Sequence, residues 1–87
     1  ANEIEVLPPD FGKLINLELF NGSENRLISV EKVDLRNMKS LTEIDVSVNK
    51  LKVLFKGLGG CQKLRYINAS KNLLEKVPRG ILIPILN

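Results

Sequence analysis

Apolar residues recur along this chain at a fixed interval. In "LTEIDVSVNKL", Leu41, Ile44 and Val46 alternate as in a half-buried strand, Asn49 interrupts them, and Leu51 resumes. The stretch "LRYINASKNLL" puts Leu64, Ile67, Ala69, Asn72 and Leu74 at the same relative positions, and "LELFNGSENRL" puts Leu17, Phe20, Gly22, Asn25 and Leu27 there. Asn25 and Asn49 are 24 residues apart, Asn49 and Asn72 are 23 apart, and a further step of 23 backwards reaches Asn2, with Ile4 two places on. The whole chain therefore reads as one repeat array, with a partial repeat over 1–16 and repeats over 17–40, 41–63 and 64–86.

The first half of each repeat has the period-two spacing of a strand, and the second half supplies the dozen or so residues that a crossover between parallel strands needs. Short parallel strands are predicted around 18–23, 42–47 and 65–70. The return halves, opened by Leu7, Val30, Leu54 and Val77, are varied, and short helical turns are expected in them. Of these, "VEKVDLRNMKSL" is the best helix candidate because it lacks Gly and Pro, whereas Pro8, Pro9, Gly57, Gly59 and Gly60 favour tighter turns.

The repeated positions, L-x-x-L-x-L-x-x-N-x-L, resemble those of the leucine-rich repeat family over essentially the full chain. The segments "LPPDFGKL" and "VPRGI" are similar to the typical class found in Ras-suppressor-like intracellular scaffold proteins, and Toll-like receptor ectodomains carry similar repeats. Gly22 and Ala69 depart from the pattern by replacing Leu at the third apolar position, and Asn87 stands where the next strand Leu is due. The resemblance implies an α/β right-handed solenoid of about three and a half repeats, with strands on a concave face and an irregular or short-helical convex side. The chain is expected to be part of a longer array.

The recurrent Asn has a physical reason. Where the chain leaves the strand and turns inward, it carries backbone donors and acceptors away from water, and an Asn amide offers two donors and an acceptor to meet them. An unmet buried amide would cost about 1 to 3 kcal/mol. Asn25, Asn49 and Asn72 are therefore expected to be a well-satisfied structural ladder.

Composition narrows the functional classes. The 87 residues allow at most one small domain, and with aromatics at 5% and no Trp its core must be aliphatic. A net charge of +3 with interspersed signs argues against nucleic acid as a partner, and no apolar run approaches the roughly 20 residues of a membrane span, so no membrane insertion is expected. The single Cys61 cannot form an internal disulfide and is read as a small buried core residue, in the slot that Leu14 fills in the first copy. Its isolation points to a reducing compartment, and a cytoplasmic location is expected. The sequons "NGS" at Asn21 and "NAS" at Asn68 point instead outside the cell. With no His, imidazole metal sites and Ser-His or Cys-His catalysis are excluded, and "GLGG" lacks the ending of a phosphate loop. The expectation is that the chain is not an enzyme and needs no cofactor or metal.

What remains is the strand face. The residues between the apolar ones form stripes across it: Glu18, Thr42 and Arg65; Leu19, Glu43 and Tyr66; Asn21, Asp45 and Asn68; Ser23, Ser47 and Ser70; Glu24, Val48 and Lys71. Leu19, Asn21, Glu43, Asp45, Arg65, Tyr66, Asn68 and Lys71 are the candidate contacts for a protein partner, with Tyr66 foremost because an exposed Tyr supplies both area and a hydroxyl. Each stripe also has a bland reading: the serines support the strand ends, and the Asn-Asp-Asn stripe is a solvated ladder. Ile4, Leu7 and Phe11 at one end, and Val77, Ile81, Ile83 and Ile85 at the other, would leave apolar surface bare, to be covered by flanking repeats or by end-to-end self-association. Three functions fit: an intracellular adaptor or scaffold that binds a protein through the strand face, an extracellular recognition fragment of a receptor, or a structural spacer.

Overall fold

The computed structural model describes residues 3–76 and 84–86. Four strands, β1 (Leu19–Asn21), β2 (Glu43–Asp45), β3 (Tyr66–Asn68) and β4 (Ile85–Leu86), form one parallel sheet in chain order. Leu19 stands beside Glu43 and Glu43 beside Tyr66, while Phe20, Ile44, Ile67 and Ile85 form the next row. The sequence period has become a strand register. The last step is shorter than the period, since Ile67 pairs with Ile85; this strand was not expected from the tail "ILIPILN".

β1, β2 and β3 are three residues long rather than the six expected. Bonds between neighbouring coils nevertheless run the full predicted length: Thr42 N–H donates to Glu18 O at 2.8 Å before the strands, and Glu24 N–H donates to Ser47 O at 3.0 Å after them. What ends the regular geometry is a side-chain latch at the last strand residue, described below.

The row Phe20, Ile44, Ile67 and Ile85 faces a core that closes over Leu27, Val30, Val33, Leu35, Met38, Leu41, Val46 and Leu51, all but Phe20 and Ile85 essentially fully buried. Gly22, at the third apolar position, is explained by its neighbour. A Cβ there would lie 2.7 Å from the Phe20 ring, which fills the place of the missing side chain. That ring in turn meets Phe11 edge-on, with centroids 4.6 Å apart.

The return halves carry 3-10 turns at Pro9–Lys13, Leu35–Asn37 and Leu58–Gly60. The helix candidate at Val30–Leu41 is thus only one short turn. The reason lies in its backbone: Leu35 N–H donates to Lys56 O in the next coil at 2.9 Å, and a bridge pairs Asp34 with Lys56, so the amides are spent between coils instead of within a helix. Asp34 then caps the turn, its carboxylate accepting from Arg36 N–H at 3.0 Å and from the Arg36 guanidinium at 2.8 Å. These hydrogen bonds hold the Asp34 carboxyl below its usual range and raise Arg36.

Cys61 is buried, as expected, and burial pushes its thiol pKa up. Its slot corresponds to Met38, fully buried, and to Leu14, which is 48% exposed because no coil covers that end. Of the end residues expected to be bare, Ile4 is exposed, but Leu7 is buried at 5% and Phe11 is half-buried against Phe20. Leu7 escapes exposure because its coil already stacks on the next, through the bridge between Val6 and Ser29. At the other end Ile85 packs on the core, while Val77, Ile81, Ile83 and Asn87 lie outside the described residues.

Candidate functional site: the strand face

β1, β2 and β3 each end on an Asx residue followed two places later by Ser. The Oδ1 atoms of Asn21, Asp45 and Asn68 accept from the hydroxyls of Ser23, Ser47 and Ser70, each at 2.7 Å. The same oxygens accept from the backbone N–H of those serines at 3.0 to 3.1 Å. This local capture takes the Ser amide out of the ladder and bends the chain. The residue after each Ser is then left-handed: Glu24, Val48 and Lys71 have φ of 55, 57 and 56°. The serines support the strand ends, as their bland reading held, and one oxygen of each Asx is committed to the same task.

The Asn ladder follows. Asn49 Nδ2 donates to Gly22 O at 3.0 Å, Val46 O at 2.9 Å and Ser47 O at 3.1 Å, while its Oδ1 accepts from Leu27 N–H at 2.9 Å. Asn72 repeats the set one coil on, with Leu51 N–H on its Oδ1 at 3.0 Å. The expectation of satisfied amides holds for these two and fails for Asn25. Its Nδ2 reaches Gly22 O at 2.9 Å and Ser23 O at 3.2 Å, but its shielded Oδ1 has no partner among the described residues.

With turns fixed this way, Leu19, Asn21, Glu43, Asp45 and Tyr66 come together around a depression of about 220 Å³ over β1 and β2. Leu19 is 60% exposed and Tyr66 37%. The two form apolar walls on either side of a floor carrying Glu43 and Asp45. Asn68 stands next to Asp45 in register, and Arg65 reaches Glu43 at 3.6 Å. Lys71 is set apart from this group, in the left-handed turn beyond the end of β3. The five stripes together carry four carboxylates, Glu18, Glu24, Glu43 and Asp45, against the two cations Arg65 and Lys71, on a chain whose net charge is +3. The face is therefore acidic while the remainder of the chain is basic. Among the described residues no group of three or more His, Cys, Asp or Glu is placed to hold a metal ion, and no helix is long and apolar enough to cross a membrane.

The left-handed residues escaped sequence reasoning. Glu, Val and Lys at one repeat position give no Gly or Asn signal; the only trace is that each sits between a latched Ser and a ladder Asn.

No known family profile matches the chain, and no solved structure matches it. Over 53 residues, 61% of the chain, it is 40% identical to a protein of Podospora anserina named adenylate cyclase. The chain spans about 2% of that protein's length. The expectation that the chain is not an enzyme is corrected by this match, since the protein it is similar to bears the name of an enzyme. The lack of His, which prompted that expectation, excludes particular chemistries within the chain and says nothing of a larger protein that carries such repeats.

Proposed function

We propose that the chain is a stretch of right-handed leucine-rich repeat solenoid that binds a protein partner through the strand face, as the binding element of a larger protein. The match to a protein named adenylate cyclase supports an enzyme of that kind as the setting, with the repeats recruiting or positioning a partner for it. Adaptor or scaffold describes the role of this segment, and its working compartment is taken to be the cytoplasm.

The observation that carries the reading is the depression between Leu19 and Tyr66. An exposed aliphatic and an exposed aromatic side chain flank carboxylates on one face of the sheet, so the face has both contact area and charge. The fitting partner is an extended segment bearing Lys or Arg. Its aliphatic stems would lie against Leu19 and the Tyr66 ring, and its cation would reach the Asp45 oxygen that Ser47 does not use. The acidic face on a basic chain also orients such a partner on approach.

The test is selection from a random peptide display library, followed by titration of one selected peptide. Enrichment of Lys and Arg is expected. Tyr66→Ala and Asp45→Asn should each weaken binding at least about tenfold, equivalent to about 1.4 kcal/mol. Asp45→Asn is a clean probe because Asn performs the same Ser latch at Asn21 and Asn68. Selected peptides that bind both variants as well as the parent would refute the strand face as the site.

A further inference from the structure

We propose that Asn21 is a site of spontaneous modification, losing ammonia to become an aspartate on the wall of the strand-face depression, and that the bond from Gly22 N–H to Asp45 O sets the rate. The effect on binding rests on the strand-face reading; the modification itself does not.

The fold imposes the reactive pair. Phe20 turns its ring into the place of a side chain at position 22, so that a Cβ there would lie 2.7 Å from it. Packing thus calls for Gly directly after Asn21, and a residue without a Cβ gives the least obstruction when its backbone nitrogen attacks the preceding side-chain amide. The latch then gathers the reacting atoms. Asn21 Cγ and Gly22 N both belong to the small ring closed when Ser23 N–H donates to Asn21 Oδ1 at 3.0 Å. The Ser23 hydroxyl donates to the same oxygen at 2.7 Å. Two donors on that oxygen polarise the carbonyl and hold the negative charge it gains under attack, as an oxyanion hole does. Asn21 is exposed, so water has access.

The reaction balances with water alone. Gly22 N gives its proton to solvent base and bonds to Asn21 Cγ; the Cγ–Nδ2 bond breaks, and Nδ2 takes a proton from water and leaves as ammonia. Water then adds to the cyclic imide. Addition at Cγ breaks its new bond to Gly22 N and leaves an aspartate, whereas addition at the backbone carbonyl leaves an isoaspartate, with the chain running through Cγ. With Ser23 still donating to the oxygen on Cγ, water is steered to Cγ and aspartate is favoured. An aspartate suits the fold, because Asp45 holds the same latch with Ser47 at 2.7 and 3.0 Å.

One bond stands in the way. Gly22 N–H donates to Asp45 O at 2.7 Å, so its nitrogen is withheld while β1 is paired with β2. Attack therefore waits on local opening of a three-residue strand. Asn68 has the same latch but is followed by Ala69, whose Cβ hinders ring closure, and it serves as an internal control. Asn21 neighbours Asp45 in register, so a carboxylate gained there joins Glu43 and Asp45 around the depression and strengthens its hold on a basic segment.

The experiment incubates the parent chain at neutral pH in heavy-oxygen water, with and without urea, and follows Asn21 and Asn68 by peptide mass and by separation of aspartate from isoaspartate. Gly22 amide exchange is measured alongside by NMR. Label is expected at Asn21 and not at Asn68, at least about tenfold more slowly in the native chain than in the unfolded one, and in step with Gly22 exchange as urea is raised. Ser23→Ala should raise the isoaspartate share. Asn21→Asp should bind a selected basic peptide at least about threefold more tightly than the parent. No label at Asn21 while Gly22 exchanges overturns the site, and equal rates in native and unfolded chains overturn the gate. An Asn21→Asp variant without gain, while Asp45→Asn still weakens binding, overturns the proposed effect on the face. Indifference of the peptide to Asp45→Asn as well refutes the strand-face reading instead.

Discussion

The turns at Asn49 and Asn25 are built from the same parts: an Asx-Ser latch, a left-handed residue, and an Asn whose amide gathers its own turn's carbonyls. They differ in what lies on the amino-terminal side. Asn49 has a complete coil there and joins two coils through Leu27 N–H and Gly22 O; Asn25 gathers Gly22 O and Ser23 O of its own turn and stops. The motif thus joins two repeats only where the neighbouring repeat supplies the partner groups, as Leu27 N–H and Gly22 O do for Asn49.

The sharpest way to break that comparison is to delete each amide. Asn49→Ala leaves Leu27 N–H and three carbonyls without their partner in a buried site, and should cost about 3 kcal/mol. Asn25→Ala removes only bonds within one turn and should cost about 1 kcal/mol. Equal losses in urea unfolding would contradict the distinction.

The return side offers the next contrast, because Asp34 lies between glycines of the two flanking coils. A Cβ at Gly12 would come within 2.7 Å of Asp34 O, and one at Gly57 would run into the Asp34 carboxylate. Gly57 also has φ of 75°, which Gly12 does not share. Gly57→Ala should therefore cost about 2 kcal/mol or more, the left-handed backbone alone accounting for about 1. Gly12→Ala should cost less, and thermal denaturation of the pair measures the difference.

Smaller effects are expected at the left-handed residues. Val48 is β-branched, which that conformation penalises, and Glu24 is not. Val48→Gly should stabilise by up to about 1 kcal/mol, and Glu24→Gly by less. The gain should register as a rise in Tm at unchanged far-UV signal.

The smallest effect is the acid limb of stability. Because the Arg36 hydrogen bond lowers Asp34 in the folded chain, the carboxylate stabilises the fold above the unfolded carboxylate range, near pH 4. That contribution is lost as pH falls through the lowered folded value. Asp34→Asn should make the fall in Tm below about pH 4 shallower and leave its shape above pH 5 unchanged.

Much of the sheet was legible because the Asn spacing fixes it: residues 24 and 23 apart in sequence became neighbours in register. The ladder donors were legible for the same reason, as an amide at that place has few other uses. The return halves were not, because an apolar pattern such as Val33, Leu35 and Met38 suits a helix or an extended bridge equally, and the choice was made by Lys56 in another coil. At the strand face, the stripes named Leu19, Asn21, Glu43, Asp45 and Tyr66 without showing that these five line one depression. They could not reveal that the Asx oxygens were already bonded to the serines, or that Lys71 stood in the turn, since both follow from backbone angles that three dissimilar residues share.

The functional account stands most directly on one titration, that of a selected basic peptide against the parent chain, Asp45→Asn, and a return-side control, Lys63→Ala. The account predicts at least tenfold weaker binding for Asp45→Asn at unchanged Tm, with the Lys63 variant indistinguishable from the parent. Equal affinity for the Asp45 variant, or a loss confined to the Lys63 variant, would contradict it and move the partner off the strand face.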